Sequence, residues 1–135
     1  MKKLFSGIAL MLLASFSYGQ STDPDAELVK NEFDAYFNDF NARDFDAIAT
    51  HFQVPAMFKR TPDVIAATHE EVVEFFNSFP LQEGYAYSLM DHVEVHRLAE
   101  SIYYLNLEFS HYNGSDELLF EGSSLYFLVM KQEVG

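Results

Sequence analysis

Apolar residues in the first half of the chain recur at helical spacing. Val29, Phe33, Tyr36, Phe37 and Phe40 fall three and four apart, which predicts one buried stripe on a helix running to about Asn41. Asp23-Pro24 supplies its N-cap and first position, and Asp25 and Glu27 place acids where the helix dipole favours them. Asn41-Ala42-Arg43 breaks the stripe. Asp44 then caps a second helix on which Phe45, Ile48, Ala49 and Phe52 repeat the pattern. Val54-Pro55-Ala56-Met57-Phe58-Lys59 reads as a short strand, with Pro55 at its start or on an edge. Arg60 to Ala67 reads as a connection containing Pro62. Thr68-His69-Glu70-Glu71 is a capping box that opens a third helix, which buries Val72, Phe75, Phe76 and Phe79 and stops at Pro80.

The period then changes to two. Tyr85 to Leu98 and Ser101 to Tyr112 read as long strands, followed by a hairpin turn at Asn113-Gly114-Ser115-Asp116 and a third strand from Leu118 to Lys131. Asn113-Gly114-Ser115 also matches a glycosylation sequon and is read here as a turn. Gly122 is read as a bulge or bend. Alternation turns Tyr103, Leu105, Leu107, Phe109 and His111 to one face, expected to look inward, and Tyr104, Asn106, Glu108 and Ser110 outward. On the preceding strand Leu89, Val93 and Val95 are expected inward, with His92, Glu94 and His96 outward. Three helices followed by antiparallel strands define an α+β order.

One stretch carries more than periodicity. A long helix ending in Phe40-Asn41-Ala42-Arg43-Asp44, then Phe45-Asp46-Ala47-Ile48-Ala49-x-x-Phe52 and a short strand, resembles the start of the NTF2-like (SnoaL-like, ketosteroid isomerase-like) superfamily. The resemblance extends in element order from about Glu27 to the C-terminus. It implies an α+β cone: a bent antiparallel sheet wraps three helices and leaves a pocket at the open end. It also implies pairing of two copies through the outer sheet face, so a homodimer is expected. In the family a last strand, often opening with Trp, follows a turn like Gln132-Glu133-Val134-Gly135. Here nothing follows Gly135 and the chain has no Trp. The reading favours a fragment or truncated gene model. Otherwise the sheet lacks its final strand and Leu118 to Lys131 is an unpaired edge.

The isomerase branch of the superfamily gives a residue-level comparison. Its oxyanion-donating tyrosine stands five residues before the elbow Asn, and Tyr36 stands five before Asn41. Its general base falls at Arg60, which is no base at neutral pH, and Ser123 to Met130 contains no acid for its second donor. That mechanism therefore does not carry over. Some dehydratases of the superfamily use histidine and tyrosine in the cavity, which makes Tyr36 and His111 the catalytic candidates.

The first residues are a separate matter. Lys2 and Lys3, the apolar run Leu4 to Phe16 and small residues before Gln20 predict a secretory signal peptide over 1–19, with the domain over 20–135. Export to the periplasm or extracellular space is expected. Removing 1–19 leaves six basic residues against 21 acidic ones, about −15, a surface that repels nucleic acid and anionic membranes. The absence of cysteine excludes disulfides and a lipoprotein anchor.

Chemistry-bearing motifs are few. His92-x-Glu94-x-His96 has metal-ligand residue types, but alternate residues of a strand stand about 7 Å apart, which suits a polar sheet face better. His51 and His69 read as solvated. There is no Gly-rich phosphate loop, Gly-x-Ser-x-Gly or His-Glu-x-x-His, so no cofactor or metal is expected. Fourteen Phe and eight Tyr exceed ordinary use and suit a cavity for a small hydrophobic ligand. Its expected lining is Tyr36, Phe40, Phe58, Tyr103, Phe109 and His111. The alternatives are a dehydratase or isomerase using Tyr36 and His111, and a non-catalytic interaction module with a filled cone.

Overall fold

The computed structural model describes residues 23–131. The expected signal peptide lies outside the described residues, as do positions 132–135. Helix α1 spans Pro24–Ala42, and the Asp23 carboxylate accepts from the Asp25 and Ala26 amides at its start. Its inner stripe buries Val29, Phe33, Tyr36 and Phe37. The helix stops because Arg43 turns left-handed, at φ 56°, so that its N–H donates to Phe40 O and the Asp44 N–H to Asp39 O. Asp44 then caps α2, Phe45–Thr50, by accepting from the Ala47 N–H.

The segment from Arg60 to Ala67 is more than a connection. Val64–Ala66 forms strand β2, which pairs antiparallel with β1, Ala56–Phe58. The strand expected within Val54 to Lys59 is β1; three residues are too few to show a period, so β2 is invisible to pattern reading. Helix α3, His69–Asn77, begins at Thr68, whose hydroxyl accepts from the Glu71 N–H. The Glu71 carboxylate returns to the Ala67 N–H, one residue earlier than in a reciprocal capping box.

Strands β3 (Tyr85–Ala99), β4 (Ile102–Asn113) and β5 (Leu118–Val129) form an antiparallel sheet in chain order. Its inner face meets the helices in one core that joins Phe33, Tyr36 and Phe37 of α1 to Ile48, Phe76, Leu105 and Leu107. Leu89 does not point inward as strict alternation requires; it is exposed. The register slips between Met90 and His92, so Asp91 is an extra residue and the inward parity changes there. Ser88 and Met90 face the core before the bulge, Val93 and Val95 after it. Gly122 is not a bulge either, because it pairs in register with Phe109. Its missing side chain makes room: a Cβ there would stand 2.6 Å from Phe120 and 2.8 Å from Phe109. Among the described residues no helix is long and apolar enough to cross a membrane.

Candidate functional site

The expected lining residues separate into three places. Tyr36, Phe40 and Phe58 join a packed aromatic cluster under the helices. Tyr36 has Phe33, Phe40, Phe52, Phe76 and Tyr126 around it at centroid distances of 5.3 to 6.4 Å. Phe58 stacks on Phe75 at 3.8 Å and joins the cluster through Phe52 and Phe76. The Tyr36 hydroxyl faces the Tyr126 hydroxyl at 3.4 Å, and burial, reinforced by Tyr126, pushes its pKa well above the ordinary phenol value. Tyr36 is therefore neutral, and the hydrogen-bond partner of its hydroxyl is a phenol, not an imidazole.

Tyr103 stands apart from both other groups. Its hydroxyl donates to the Asp23 carboxylate that also caps α1, while Arg97 lies over its ring at 5.0 Å. The Arg97 guanidinium, bound to Asp23 at 3.1 Å, holds that carboxyl below its usual range. Tyr103 thus fastens the helix start to the sheet.

Phe109 and His111 sit at the third place, where β3 begins and α1 ends. The His111 ring is buried, with Tyr85 at 5.0 Å, Phe109 at 4.9 Å and Phe120 at 5.8 Å. Nδ1–H donates to Gln82 Oε1 at 2.8 Å, so the lone pair resides on Nε2. Burial lowers the His111 pKa, which keeps the imidazole neutral near pH 7. Phe120 is 44% exposed, so one wall of this box meets solvent. A neutral imidazole with one nitrogen fixed and an acceptor lone pair on the other can receive a hydrogen bond or a proton.

The α1–α2 elbow supports this box from behind. Asn41 donates to Ser88 O at 3.0 Å and accepts from the Ser88 N–H at 2.8 Å. Ser88 lies opposite His111 in the ladder, and its hydroxyl meets the Tyr85 hydroxyl at 2.6 Å. Arg43 rests over Phe40 and Phe45, and its Nη1 is buried with no hydrogen-bond partner among the described residues. Pattern reading finds His111 and Phe109 by alternation. It misses Gln82 and Tyr85, which lie in a loop and at a strand start where no period operates.

His51 is not a solvated residue. Its Nε2 meets Asp39 at 2.8 Å and its Nδ1 meets Glu32, both on α1, while its ring edges Tyr36 at 6.1 Å. Both nitrogens face carboxylates, so both must donate and the imidazolium is the bound form. Burial alone would lower its pKa, but the hydrogen bonds that His51 donates to Asp39 and Glu32, and the charges of those carboxylates, outweigh that and raise it. A raised folded pKa stabilises the fold fully below the ordinary value of 6.5 and loses that contribution as pH rises through the raised value. Wild type should therefore lose its Tm advantage over His51→Gln as pH increases from about 5 to 9. A constant difference would mean that His51 holds the helices by packing alone.

His69 remains exposed and donates from Nε2 to Phe52 O at 2.9 Å. His92 and His96 flank the Glu94 carboxylate at 3.1 and 3.4 Å and lower its pKa. Among the described residues no group of three or more His, Asp or Glu is arranged to hold a metal ion.

A groove of about 520 Å³ opens on the outer face of the sheet, away from the helices. Asp91, Glu108, Ser110, Glu121 and Ser123 form its polar wall. Ser110 faces outward as alternation requires but is covered, because its hydroxyl donates to the bulged Asp91. A smaller space of about 150 Å³ lies between α2 and α3 at Ala49, His69 and Val73. Of the expected lining residues Phe109 borders the groove, and Tyr36, Phe40, Phe58, Tyr103 and His111 line neither space.

Comparison with known proteins agrees with this architecture. Residues 25–134 match the family model described as NTF2-like protein (DUF6841), and the chain belongs to that family. No curated protein matches it. Among solved structures it is similar to Aln2 from a Streptomyces species, with a TM-score of 0.57 and 14% identity over 76% of this chain and 77% of that one. At that identity the likeness establishes the shared fold.

Proposed function

We propose that this is an exported NTF2-like domain that binds a small, flat, largely apolar molecule at the His111 end of its cone. The observation that carries the reading is His111 itself: a neutral imidazole, walled by Tyr85, Phe109 and Phe120, whose Nε2 lone pair has no partner among the described residues. An apolar box with one polar group of fixed direction favours a ligand with one matching donor. Arg43, whose charge reaches the Tyr85 hydroxyl, offers an unspent donor beside the box. The export part of the reading rests on Lys2, Lys3 and the apolar run from Leu4 to Phe16.

2-Naphthol and 2-methoxynaphthalene separate the polar from the apolar contribution. 2-Naphthol should bind more tightly, and His111→Phe should weaken it by roughly tenfold while leaving the ether unchanged, as expected for one hydrogen bond. The imidazole nitrogens of His111 should show the Nδ1–H tautomer by NMR. Equal binding of the two probes, or no binding at millimolar concentration, would remove this reading.

The second reading is a non-catalytic interaction module, and the ring-filled surroundings of Tyr36 favour it. A dehydratase or isomerase combining Tyr36 with His111 has less support. Tyr36 faces Tyr126, and His111 is bound to Gln82.

A further inference from the structure

We propose that Asn113 is a site of self-modification, at which the folded turn between β4 and β5 drives loss of the side-chain amide as ammonia and leaves an acid. Asn113 is the one asparagine of the chain that precedes glycine. Gly114 is exposed and has no side chain to shield its nitrogen; a Cβ placed there would meet nothing within 4 Å. The Asn113 carboxamide folds back along the turn, because its Oδ1 accepts from the Ser115 N–H at 2.9 Å. The Gly114 nitrogen lies inside the ring that this bond closes, which keeps it beside the carboxamide carbon. The Glu117 N–H also donates to Oδ1, again at 2.9 Å. Nδ2, the leaving nitrogen, donates to Glu117 Oε1 at 2.9 Å. The frame around these groups is fixed. Asp116 N–H donates to Asn113 O at 3.1 Å, Asn113 N–H donates to Glu117 O at 3.0 Å, and the Tyr87 hydroxyl ties Asp116 to β3.

The chemistry follows from these contacts. The Gly114 nitrogen loses its proton to solvent base and forms a bond to Asn113 Cγ. The displaced electron pair of the Cγ–Oδ1 double bond moves onto Oδ1. There the Ser115 and Glu117 N–H groups already face the developing charge, as in an oxyanion hole. Nδ2 takes up a proton, which the adjoining Glu117 carboxylate favours. The Cγ–Nδ2 bond then breaks, its electrons leave with ammonia, and the Cγ–Oδ1 double bond re-forms in a five-membered imide. Water adds to either carbonyl of the imide and opens it. One opening gives an aspartate at position 113, the other an isoaspartate whose main chain runs through the former side chain. Water is the sole co-reactant, and nothing is oxidised or reduced. Either product sets a carboxylate beside Glu117 where a donor had been. Isoaspartate also lengthens the main chain where Asn113 pairs with Tyr85. The modification therefore loosens the β4–β5 hairpin and the start of β3 together.

Incubation of the intact protein at neutral pH, followed by peptide mapping with mass spectrometry, tests the proposal. The peptide containing Asn113 should gain the mass difference between NH and O, and should take up label from heavy-oxygen water. An isoaspartyl methyltransferase should then modify it. The rate should rise from mildly acidic to mildly alkaline solution, since the Gly114 nitrogen must lose its proton. Gly114→Ala should slow the reaction by about tenfold, with circular dichroism unchanged because the added Cβ enters open space. The decisive comparison is with the chain unfolded in guanidinium chloride. The folded protein should react at least as fast, because the turn supplies both N–H donors to Oδ1. A slower reaction in the folded protein would mean that the hydrogen bonds lock the carboxamide against attack, and would overturn the proposal. Equal modification at Asn77, which is exposed and precedes Ser78, would overturn it too.

Discussion

Phe76→Ala should cost the fold about 3–5 kcal/mol, a large share of the roughly 5–15 kcal/mol that holds a domain of this size together. Phe76 is almost fully buried on α3, and its ring contacts rings from α1, from β1 and from the segment that joins α2 to β1. Tyr36 and Phe40 approach it from α1, Phe52 from just beyond α2, Phe58 from β1 and Phe75 from its own helix. The chain has no disulfide to compensate. In urea the midpoint should fall with the slope unchanged. Phe76→Leu should lose distinctly less because it keeps most of the volume. The cavity left by the alanine is apolar, so benzene should raise the Tm of the variant and not of wild type. A loss below about 1 kcal/mol would instead mean that the cluster already contains space. It would return Tyr36 to consideration as the floor of a ligand cavity.

The helices were legible because their stripes have a period and their ends have caps. Asp23, Asp44 and Thr68 each accept from the first-turn amides that their positions imply. The order of elements gave the α+β class for the same reason. Within the sheet, alternation failed where the register slips at Asp91, since a bulge changes parity without leaving a mark in composition. The site was only half legible. His111 and Phe109 lie in regular alternation on β4, whereas Gln82 is a loop residue whose role exists only because the loop passes the imidazole. The solvated reading of His51 fails because both of its partners, Glu32 and Asp39, lie a dozen or more residues away on another helix. Pairing over such distances is a property of helix packing, which no local pattern records.

Asn41→Ala should cost about 2–4 kcal/mol although it removes only part of one half-buried side chain. The amide of Asn41 satisfies both backbone groups of Ser88, a residue only 2% exposed, and the substitution leaves a buried N–H and a buried C=O without partners. Asn41→Asp should retain the acceptor for the Ser88 N–H but set a carboxylate against the Ser88 carbonyl, so it should not restore stability. The Ser88 amide should exchange its hydrogen faster in both variants. The consequence should reach the His111 box, because Ser88 pairs with His111 across the ladder and holds the Tyr85 hydroxyl. Weaker 2-naphthol binding in Asn41→Ala, with the Nδ1–H tautomer of His111 preserved, would mark Asn41 as a residue that positions the box without touching its ligand. Unchanged stability and exchange would mean that water replaces the amide at Ser88. In that case the elbow would be a local turn, with no part in anchoring the sheet.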